Sequence, residues 1–326
     1  TEAIGMTWAA RAPIRPSFRF AGAGHIAGFG GLMTLTQLFW FVQSQADVVI
    51  ALGTRLGPFG TLAQYGMDYW PTDAKIIQVD INPTAIGSGV HPDAALCADA
   101  GLTADIFVHW LNEAEISPSG FTRDLDIASL TAHPVGSTTT AEGCINYVQS
   151  LEKLEKALPQ NRVLVTDGGR FMTEVWCRLS VPDPKSFVVT ANFGSIGLGI
   201  PEAIGAAIGR PNQPVILFTG DGGFMMGGIN EFNTAVRMKQ DLIVIVANDS
   251  AYGAEHIQFL DRKMDPGLAM FDWPSFAQVA TALGGQGVVV DSNAGLDAAI
   301  AAIETRDRPL LIELRLDPND VPRMRI

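Results

Sequence analysis

The stretch Gly220-Asp221-Gly222-Gly223 directly follows an apolar run at residues 215–219. An apolar run of this length predicts a strand buried on both faces of a parallel sheet. Three glycines around one acidic residue let the backbone approach an anion, and free N–H groups near a helix start suit a phosphate. Asp221 offers a hard oxygen of the kind that Mg²⁺ prefers. On its own, however, the pattern also fits an ordinary strand-to-helix turn.

Two neighbouring apolar runs end in similar turns. Residues 162–166 are followed by Asp167-Gly168-Gly169-Arg170, and residues 242–247 by Asn248-Asp249-Ser250. In open α/β sheets, ligands bind beyond the carboxyl ends of the strands, where the strand order reverses. A right-handed crossover can bring the ends of consecutive strands together. Asp221 and the Asn248/Asp249 pair can therefore share one Mg²⁺ with a diphosphate.

The remaining periodicity predicts an α/β fold with two Rossmann-like domains, each built on a parallel sheet with helices on both faces. A length of 326 residues also favours two domains over one. Further strands are expected at residues 47–52, 75–80, 287–290 and 310–316, and helices at 32–43, 147–158, 201–209 and 229–238. Residues 116–140 are polar and turn-rich, which predicts a linker between domains 1–115 and 141–326.

Composition excludes several classes of protein. Hydrophobic residues make up 47% and charged residues 17%, so the chain can bury a large core and is not disordered. A net charge of −12 argues against a nucleic acid or an anionic membrane as the main partner. No apolar stretch reaches the roughly 18 residues of a membrane span, and no signal segment opens the sequence. Three cysteines show no disulfide or zinc spacing, so we expect a cytoplasmic protein.

At this point the sequence resembles a known family. A Gly-Asp-Gly followed about 27 residues later by an Asn pair resembles the diphosphate-binding fingerprint of thiamine-diphosphate-dependent enzymes. Residues 193–207 and 272–284 agree with the same family. The whole chain looks like the acetolactate synthase, benzoylformate decarboxylase and pyruvate decarboxylase group. The resemblance implies that residues 141–326 form a thiamine-diphosphate-binding fold. Residues 1–115 resemble part of the central domain, through residues 47–55 and 77–83.

The resemblance also implies a metal site. Asp221 would be the first Mg²⁺ ligand. With the alignment anchored on Tyr252-Gly253, the second ligand falls on Asp249 and the third is the Ala251 carbonyl; in the other register, Asn248 is the ligand. The sequence departs from the family pattern twice, because Asp replaces Asn and an extra glycine, Gly227 or Gly228, follows Asp221. A second carboxylate should strengthen Mg²⁺ binding but adds negative charge beside the diphosphate.

For the cofactor, the resemblance implies contacts on three turns. The backbone of Gly222 and Gly223 would hold the diphosphate, with help from Gly169 and Arg170. Ile196 matches the bulky residue that wedges between the two cofactor rings, although a plain core isoleucine is the competing interpretation. The Gly194 carbonyl would accept a hydrogen bond from the pyrimidine amino group. The predicted cofactor-binding set is Gly169, Arg170, Gly194, Ser195, Ile196, Gly220, Asp221, Gly222, Gly223, Tyr252 and Gly253.

Glu255 and His256 are the candidates for proton transfer to a reaction intermediate. Their competing interpretation is a solvated pair at a helix end. The other histidines show no partner spacing. In the central domain of the synthases, a glycine-rich segment comparable to residues 24–31 serves FAD. The position that usually carries His in that segment is Gly30 here, which argues against FAD. Arg55 and Asp80 can serve a nucleotide or act as plain scaffold.

The resulting hypothesis is a Mg²⁺- and thiamine-diphosphate-dependent decarboxylase or carboligase that acts on a 2-oxo acid. The family's activating glutamate belongs to a pyrimidine-binding domain that nothing here resembles. We therefore expect the sequence to be a carboxyl-terminal portion or one chain of a split enzyme, inactive alone and oligomeric when complete. The alternative is a non-catalytic nucleotide-binding regulatory module. The spacing of Gly194, Gly197 and Gly199 does not match the dinucleotide-binding pattern that the alternative needs.

Overall fold

The computed structural model describes residues 48–56, 73–114, 140–189 and 194–321. These residues fall into two compact units, one within residues 48–114 and one within residues 140–321. The helix predicted at 32–43, the glycine-rich run at 24–31, His25, His133 and nearly all of the predicted linker lie outside the described residues. In the described part of the chain, no helix is both long and apolar enough to cross a membrane.

The first unit contains a parallel three-stranded sheet in the order β1-β2-β3. Its strands are β1 (Val48–Leu52), β2 (Lys75–Asp80) and β3 (Ala94–Cys97), followed by helix α1 (Ala100–Glu113). The Asp99 side chain caps α1 by accepting a hydrogen bond from a backbone N–H of its first turn. The structure confirms the two predicted strands. The third was not predicted, because Ala-Ala-Leu-Cys is short and lacks a run of β-branched residues.

The second unit contains a parallel six-stranded sheet in the order β5-β4-β6-β7-β9-β8. Its elements in chain order are α2 (Tyr147–Ala157), β4 (Val163–Thr166), α3 (Met172–Arg178), a 3₁₀ turn (Pro184–Ser186), β5 (Phe187–Val189), α4 (Gly199–Gly209), β6 (Val215–Gly220), α5 (Asp221–Gly227), α6 (Glu231–Arg237), β7 (Leu242–Asn248), α7 (Gly253–Asp261), a second 3₁₀ turn (Pro266–Ala269), α8 (Phe276–Ala282), β8 (Gln286–Val290), α9 (Asn293–Thr305) and β9 (Leu310–Arg315).

The apolar runs form the centre of this sheet, as predicted. Every residue of β7 is buried, and so is β6 as far as Thr219, since helices cover both faces. The two faces pack separate cores, one including α2, α3 and α9 and the other including α4, α6 and α8. Strand β5 was not predicted, because three residues give no periodic signal.

The order of the strands places a crevice at the carboxyl end of the sheet. From β4 the chain moves to β5 on one side, and then returns to β6 on the other side of β4. The strand order therefore reverses between β4 and β6, which is where ligands bind in open α/β sheets. Gly220 pairs with Ala247 across β6 and β7, so Asp221 and Asn248 follow the same rung of the ladder.

Candidate functional site

Asp221 is a buried carboxylate held by three N–H donors. It is the first residue of α5, and only 2% of the residue is exposed. Its Oδ1 accepts a hydrogen bond from the Gly222 N–H at 2.9 Å. Its Oδ2 accepts hydrogen bonds from the Ala251 N–H at 3.1 Å and from the Trp273 indole N–H at 2.9 Å. The carboxylate is thus fixed in position.

These donors do not balance the charge of Asp221. Burial, together with the negative charge of Asp249, raises the pKa of this carboxyl group to about 7, although the three hydrogen bonds lower it. Among the described residues, Asp221 makes no ion pair. A cation bound here would stabilise the ionised carboxylate.

Asp249 lies beside Asp221 and has a cationic partner. The Arg170 Nη2 lies 2.9 Å from the Asp249 Oδ2, and both side chains are nearly buried. The same Nη2 donates a hydrogen bond to the Pro318 carbonyl at 2.8 Å. Burial raises the pKa of Asp249, and the Arg170 guanidinium opposes that rise. The turns after β4 and β7, two strands that β6 separates in the sheet, therefore meet at this ion pair.

Asn248 is engaged elsewhere. Its Nδ2 donates to the fully buried Glu313 Oε1 at 3.0 Å, and its Oδ1 accepts from the Ser250 N–H at 3.1 Å. Ser250 has a φ of +53°, a left-handed conformation that non-glycine residues rarely adopt. This turn directs the two adjacent polar side chains differently, so that Asp249 contacts Arg170 while Asn248 faces β9.

The glycines after β6 have no room for side chains. A Cβ placed on Gly222 would lie 2.4 Å from a ring carbon of Tyr252, and one placed on Gly223 would lie 2.8 Å from the Asp167 Oδ2. A Cβ placed on Gly253, after β7, would lie 2.9 Å from the Asp249 Oδ2. Glycine is therefore required here by close packing between turns.

Asp167 holds the loop that carries the predicted wedge. It is almost fully buried, and burial raises its pKa. Its Oδ2 accepts from the Gly197 N–H at 2.9 Å and from the Thr219 hydroxyl at 3.1 Å. The half-buried Ile196 side chain lies 3.3 Å from a Cβ placed on Gly168. The sequence predicts no role for Asp167, since a lone acid after a strand shows no partner.

The extra glycine that departs from the family pattern has a structural reason. A Cβ on Gly227 would lie 2.0 Å from the Gly197 carbonyl oxygen. A Cβ on the next residue, Gly228, would lie 3.0 Å from the Ile200 side chain. The end of α5 and the loop at 194–198 therefore touch backbone to backbone. Gly194 and Gly197 both have positive φ, +66° and +87°, which suits this loop to glycine.

Several other predicted site residues lie on the segment after β7. Ala251 is buried and pairs with Met270 in an isolated antiparallel bridge. The Tyr252 ring packs edge-on against Phe271, with ring centres 4.6 Å apart. Glu255 and His256 both lie on α7, but Glu255 is exposed whereas His256 is only 4% exposed. The two therefore face different environments.

Two further residues of this site carried no prediction. Trp273 reaches Asp221 from the segment before α8. Glu313 on β9 accepts hydrogen bonds from Asn248, from the Ser275 hydroxyl at 2.9 Å and from the Ala277 N–H at 3.0 Å. The signal for Trp273 was its place in the stretch at 272–277. A charged residue inside the apolar run at 310–316 was the corresponding signal for Glu313.

The donor set fits a small hard cation. Two carboxylate oxygens from neighbouring turns suit Mg²⁺, which usually keeps one or two protein carboxylates and completes its shell with water and phosphate oxygens. The described residues contain no cluster of three or more His, Cys, Asp or Glu side chains in a metal-binding arrangement. The site therefore fits a metal that is coordinated partly by a bound phosphate compound, and not a metal that protein side chains alone enclose.

Comparison with known proteins identifies two matching domains. Residues 167–314 match the family "Thiamine pyrophosphate enzyme, C-terminal TPP binding domain". Residues 23–106 match "Thiamine pyrophosphate enzyme, central domain". The first match includes the turns after β4, β6 and β7 and the segment that carries Trp273.

Individual relatives agree with these matches. The chain is 35% identical over 276 residues to a sulfoacetaldehyde acetyltransferase of Alcaligenes xylosoxydans xylosoxydans, a match that covers 76% of this chain and 45% of the relative. It is 27% identical over 285 residues to the acetolactate synthase isozyme 1 large subunit of Escherichia coli, with 86% and 49% covered. The chain spans about half the length of the curated relatives it matches.

Solved structures show the same fold. A thiamine diphosphate-dependent 4-hydroxybenzoylformate decarboxylase of Rhodococcus jostii superposes with a TM-score of 0.64 at 22% identity, covering 83% of this chain and 49% of that one. A benzoylformate decarboxylase of Polynucleobacter necessarius gives a TM-score of 0.66 at 18% identity, covering 85% and 50%. At such low identities, these likenesses concern the fold alone.

Proposed function

This chain belongs to the thiamine-pyrophosphate-dependent enzyme family, and from that premise we propose that it binds thiamine diphosphate with Mg²⁺ and serves a decarboxylase or carboligase that acts on a 2-oxo acid. The sulfoacetaldehyde acetyltransferases among its relatives indicate that transfer of an acetyl group is a further form of this activity. Family membership favours an enzyme over the alternative of a nucleotide-binding regulatory module.

The observation that carries the proposal is the pair of buried carboxylates at the reversal of the strand order. Asp221 has a pKa raised to about 7 by burial and by Asp249, and it makes no ion pair among the described residues. An NAD-binding module has no need of two such carboxylates. A divalent cation held by these carboxylates would supply the missing positive charge.

In the proposed complex, each turn has a separate task. Asp221, Asp249 and the Ala251 carbonyl hold Mg²⁺, and the backbone of Gly222 and Gly223 holds the diphosphate. Arg170, already paired with Asp249, offsets the charge that the second carboxylate adds. The proposed remaining cofactor contacts are Gly169, Gly194, Ser195, Gly220, Tyr252 and Gly253. When bound, thiamine diphosphate would supply a carbon nucleophile for the substrate carbonyl and an acceptor for the negative charge that develops on that carbon.

Two residues near the site have roles in orientation and proton transfer. Ile196, held beside the β4 turn by the loop that Asp167 fixes, would set the angle between the cofactor rings. For proton transfer, the exposure of Glu255 makes it the better candidate, because a substrate can reach it. His256 is buried and would have to be uncovered before it could act directly.

Thermal unfolding tests the proposal. Thiamine diphosphate should raise the melting temperature only when Mg²⁺ is present. At a ligand concentration of about 100 times its Kd, the stabilisation is about 2.7 kcal/mol, or roughly 5–10 °C for a unit of this size. EDTA should reverse the shift. No shift at saturating Mg²⁺ and cofactor would contradict the proposal.

The choice between Asp249 and Asn248 as the second ligand is separately testable. We expect Asp249→Ala to raise the Mg²⁺ concentration needed for half of the thermal shift by more than about tenfold, as loss of a metal ligand should. Asn248→Ala should raise it less, because the Asn248 side chain contacts Glu313. Asp249→Asn, which keeps an oxygen ligand, should lie between Asp249→Ala and the wild type. The reverse order of the two alanine variants would show that Asn248 is the ligand.

We also propose that the 326 residues hold only the diphosphate side of the cofactor site. The proposed domains are a partial central domain at 1–115, a linker at 116–140 and the diphosphate-binding domain at 141–326. The match to about half of each relative's length supports a further pyrimidine-binding portion, on the same chain or on a partner chain. The complete enzyme would then be a dimer or a tetramer.

Steady-state assays check this division of the site. The 326-residue chain alone, at saturating thiamine diphosphate and Mg²⁺, should turn over neither pyruvate nor benzoylformate, because the carboxylate that activates the pyrimidine ring is supplied by the other portion. Addition of the pyrimidine-binding portion should restore activity. Robust decarboxylation by the 326-residue chain would contradict the division.

A further inference from the structure

Trp273 contacts the carboxylate that the proposed function makes the first metal ligand. Its indole N–H donates to the Asp221 Oδ2 at 2.9 Å, and the Ala251 N–H donates to the same oxygen at 3.1 Å. The other oxygen, Oδ1, accepts from the Gly222 N–H. Two of the three donors are backbone groups that the turns themselves provide. Trp273 is the only side-chain donor to Asp221 among the described residues.

The indole packs against two phenylalanine rings. Its ring stacks on Phe271, with centres 4.6 Å apart and planes at 18°, and it lies 6.5 Å from the ring of Phe276. Phe276 in turn packs edge-on against Phe224 of α5, the helix that Asp221 begins. The aromatic side chains therefore connect the indole to the helix of the carboxylate that it contacts.

The backbone next to Trp273 is also anchored. Ser275 caps α8 by accepting a hydrogen bond from the Gln278 N–H, and its hydroxyl donates to the fully buried Glu313 at 2.9 Å. The Ala277 N–H donates to the same carboxylate at 3.0 Å. Two residues beyond the tryptophan, the chain is thus fixed to the central strand β9. These contacts within the fold therefore hold the indole in position.

We propose that Trp273 is a positioning residue that presents Asp221 to Mg²⁺. This inference rests on the proposed function. The indole is a neutral donor, so it fixes the plane of the carboxylate without bringing a positive charge that would compete with the metal. Together with the N–H groups of Ala251 and Gly222, it occupies three of the carboxylate's lone-pair directions, so one direction on Oδ1 is left for coordination. Asp249 differs, since its carboxylate is oriented by the cationic Arg170.

Loss of this donor should weaken metal binding without removing a ligand. Groups that orient a metal ligand typically contribute about 10–100-fold to metal affinity. The test replaces Trp273 with Phe, which retains an aromatic ring against Phe271 and removes the N–H. The probe is Mg²⁺ titrated at a fixed, saturating concentration of thiamine diphosphate, with the thermal shift as readout.

A matched control exists in the same unit. Trp176 is also partly buried, donates its indole N–H to the Thr166 hydroxyl at 3.0 Å, and packs edge-on against Phe187. Trp176→Phe therefore removes an equivalent hydrogen bond away from Asp221. We expect Trp273→Phe to raise the Mg²⁺ midpoint at least tenfold, and Trp176→Phe to leave it within about twofold, consistent with the outer-shell effect.

The outcomes separate this inference from the proposed function. If the wild type shows the Mg²⁺-dependent shift and Trp273→Phe keeps the same midpoint, the positioning role is wrong while the proposed function stands. If the wild type shows no shift, both fail. If Trp273→Phe does not fold, hydrogen exchange and the ¹⁵N signal of the indole N–H in the wild type test the positioning role instead. Its hydrogen exchange should be slow with and without Mg²⁺ and cofactor, and its ¹⁵N signal should shift when both are added. Fast exchange in both states would overturn the inference.

Discussion

Replacement of Asp221 by Ala should abolish the stabilisation that thiamine diphosphate and Mg²⁺ give to the wild type. The change removes one of the two carboxylates of the proposed metal site. The described residues contain no cluster of three or more His, Cys, Asp or Glu side chains that could replace it. The substitution also leaves the N–H groups of Gly222, Ala251 and Trp273 without their acceptor, and the remaining carboxylate, Asp249, is already paired with Arg170. Such a site holds a cation poorly. The expected thermal shift is zero at every Mg²⁺ concentration, against roughly 5–10 °C for the wild type.

A second aspartate provides the control for this experiment. Asp297 is exposed on α9 and loses only a solvated charge when replaced by Ala. Both variants are compared with their own unliganded forms, so a change in basal stability does not enter the result. Asp297→Ala should keep the full shift. An undiminished shift in Asp221→Ala would place the metal site elsewhere and remove the basis of the proposed function.

The strands of the second unit were predictable because they are buried on both faces. Sequences such as Val-Ile-Leu-Phe-Thr at 215–219 carry no polar residue that a helix would expose, and the structure places them at the centre of the sheet. The signal fails for two short edge strands. β3 and β5 have four and three residues, and their side chains are only partly covered, so neither composition nor period distinguishes them from loops.

The site was predictable only as far as strand ends are predictable. Asp221 and the pair Asn248/Asp249 were expected to meet, because the turns after neighbouring parallel strands lie at one edge of a sheet. The sequence could not tell which of the pair is taken by Glu313 and which by Arg170, since both partners lie far away along the chain. The contact of Trp273 with Asp221 was equally unpredictable, because the two residues lie 52 positions apart along the chain.

Contacts between backbones were the least visible from the sequence. Gly227 appeared only as an extra glycine, and nothing in its neighbours shows that the Gly197 carbonyl lies against it. The reverse also holds, because Gly205 on α4 has nothing within 4 Å of a Cβ placed on it. Two glycines that look alike in the sequence therefore differ in the space around them, and substitution by Ala should change the stability in opposite directions.

Gly227→Ala should be among the most destabilising single substitutions in this unit. The added Cβ would lie 2.0 Å from a backbone carbonyl oxygen, a distance that no change of side-chain rotamer can relieve. Either α5 or the loop at 194–198 must move. We expect a loss of about 3 kcal/mol in the free energy of unfolding, the upper part of the usual range for overpacking. Urea unfolding, followed by tryptophan fluorescence, measures it.

Gly205→Ala is the matched control and should have the opposite sign. Gly205 is exposed in the interior of α4, where Ala is favoured over Gly by about 1 kcal/mol because it restricts the unfolded chain and suits the helix. The two variants also differ in ligand binding. Gly227→Ala displaces the loop that Asp167 ties down and that carries Ile196, so it should raise the cofactor concentration needed for half of the thermal shift. Gly205→Ala should leave that concentration unchanged. If Gly227→Ala were as stable as the wild type, the backbone contact with Gly197 would be absent, and the extra glycine after Asp221 would have no role in placing this loop.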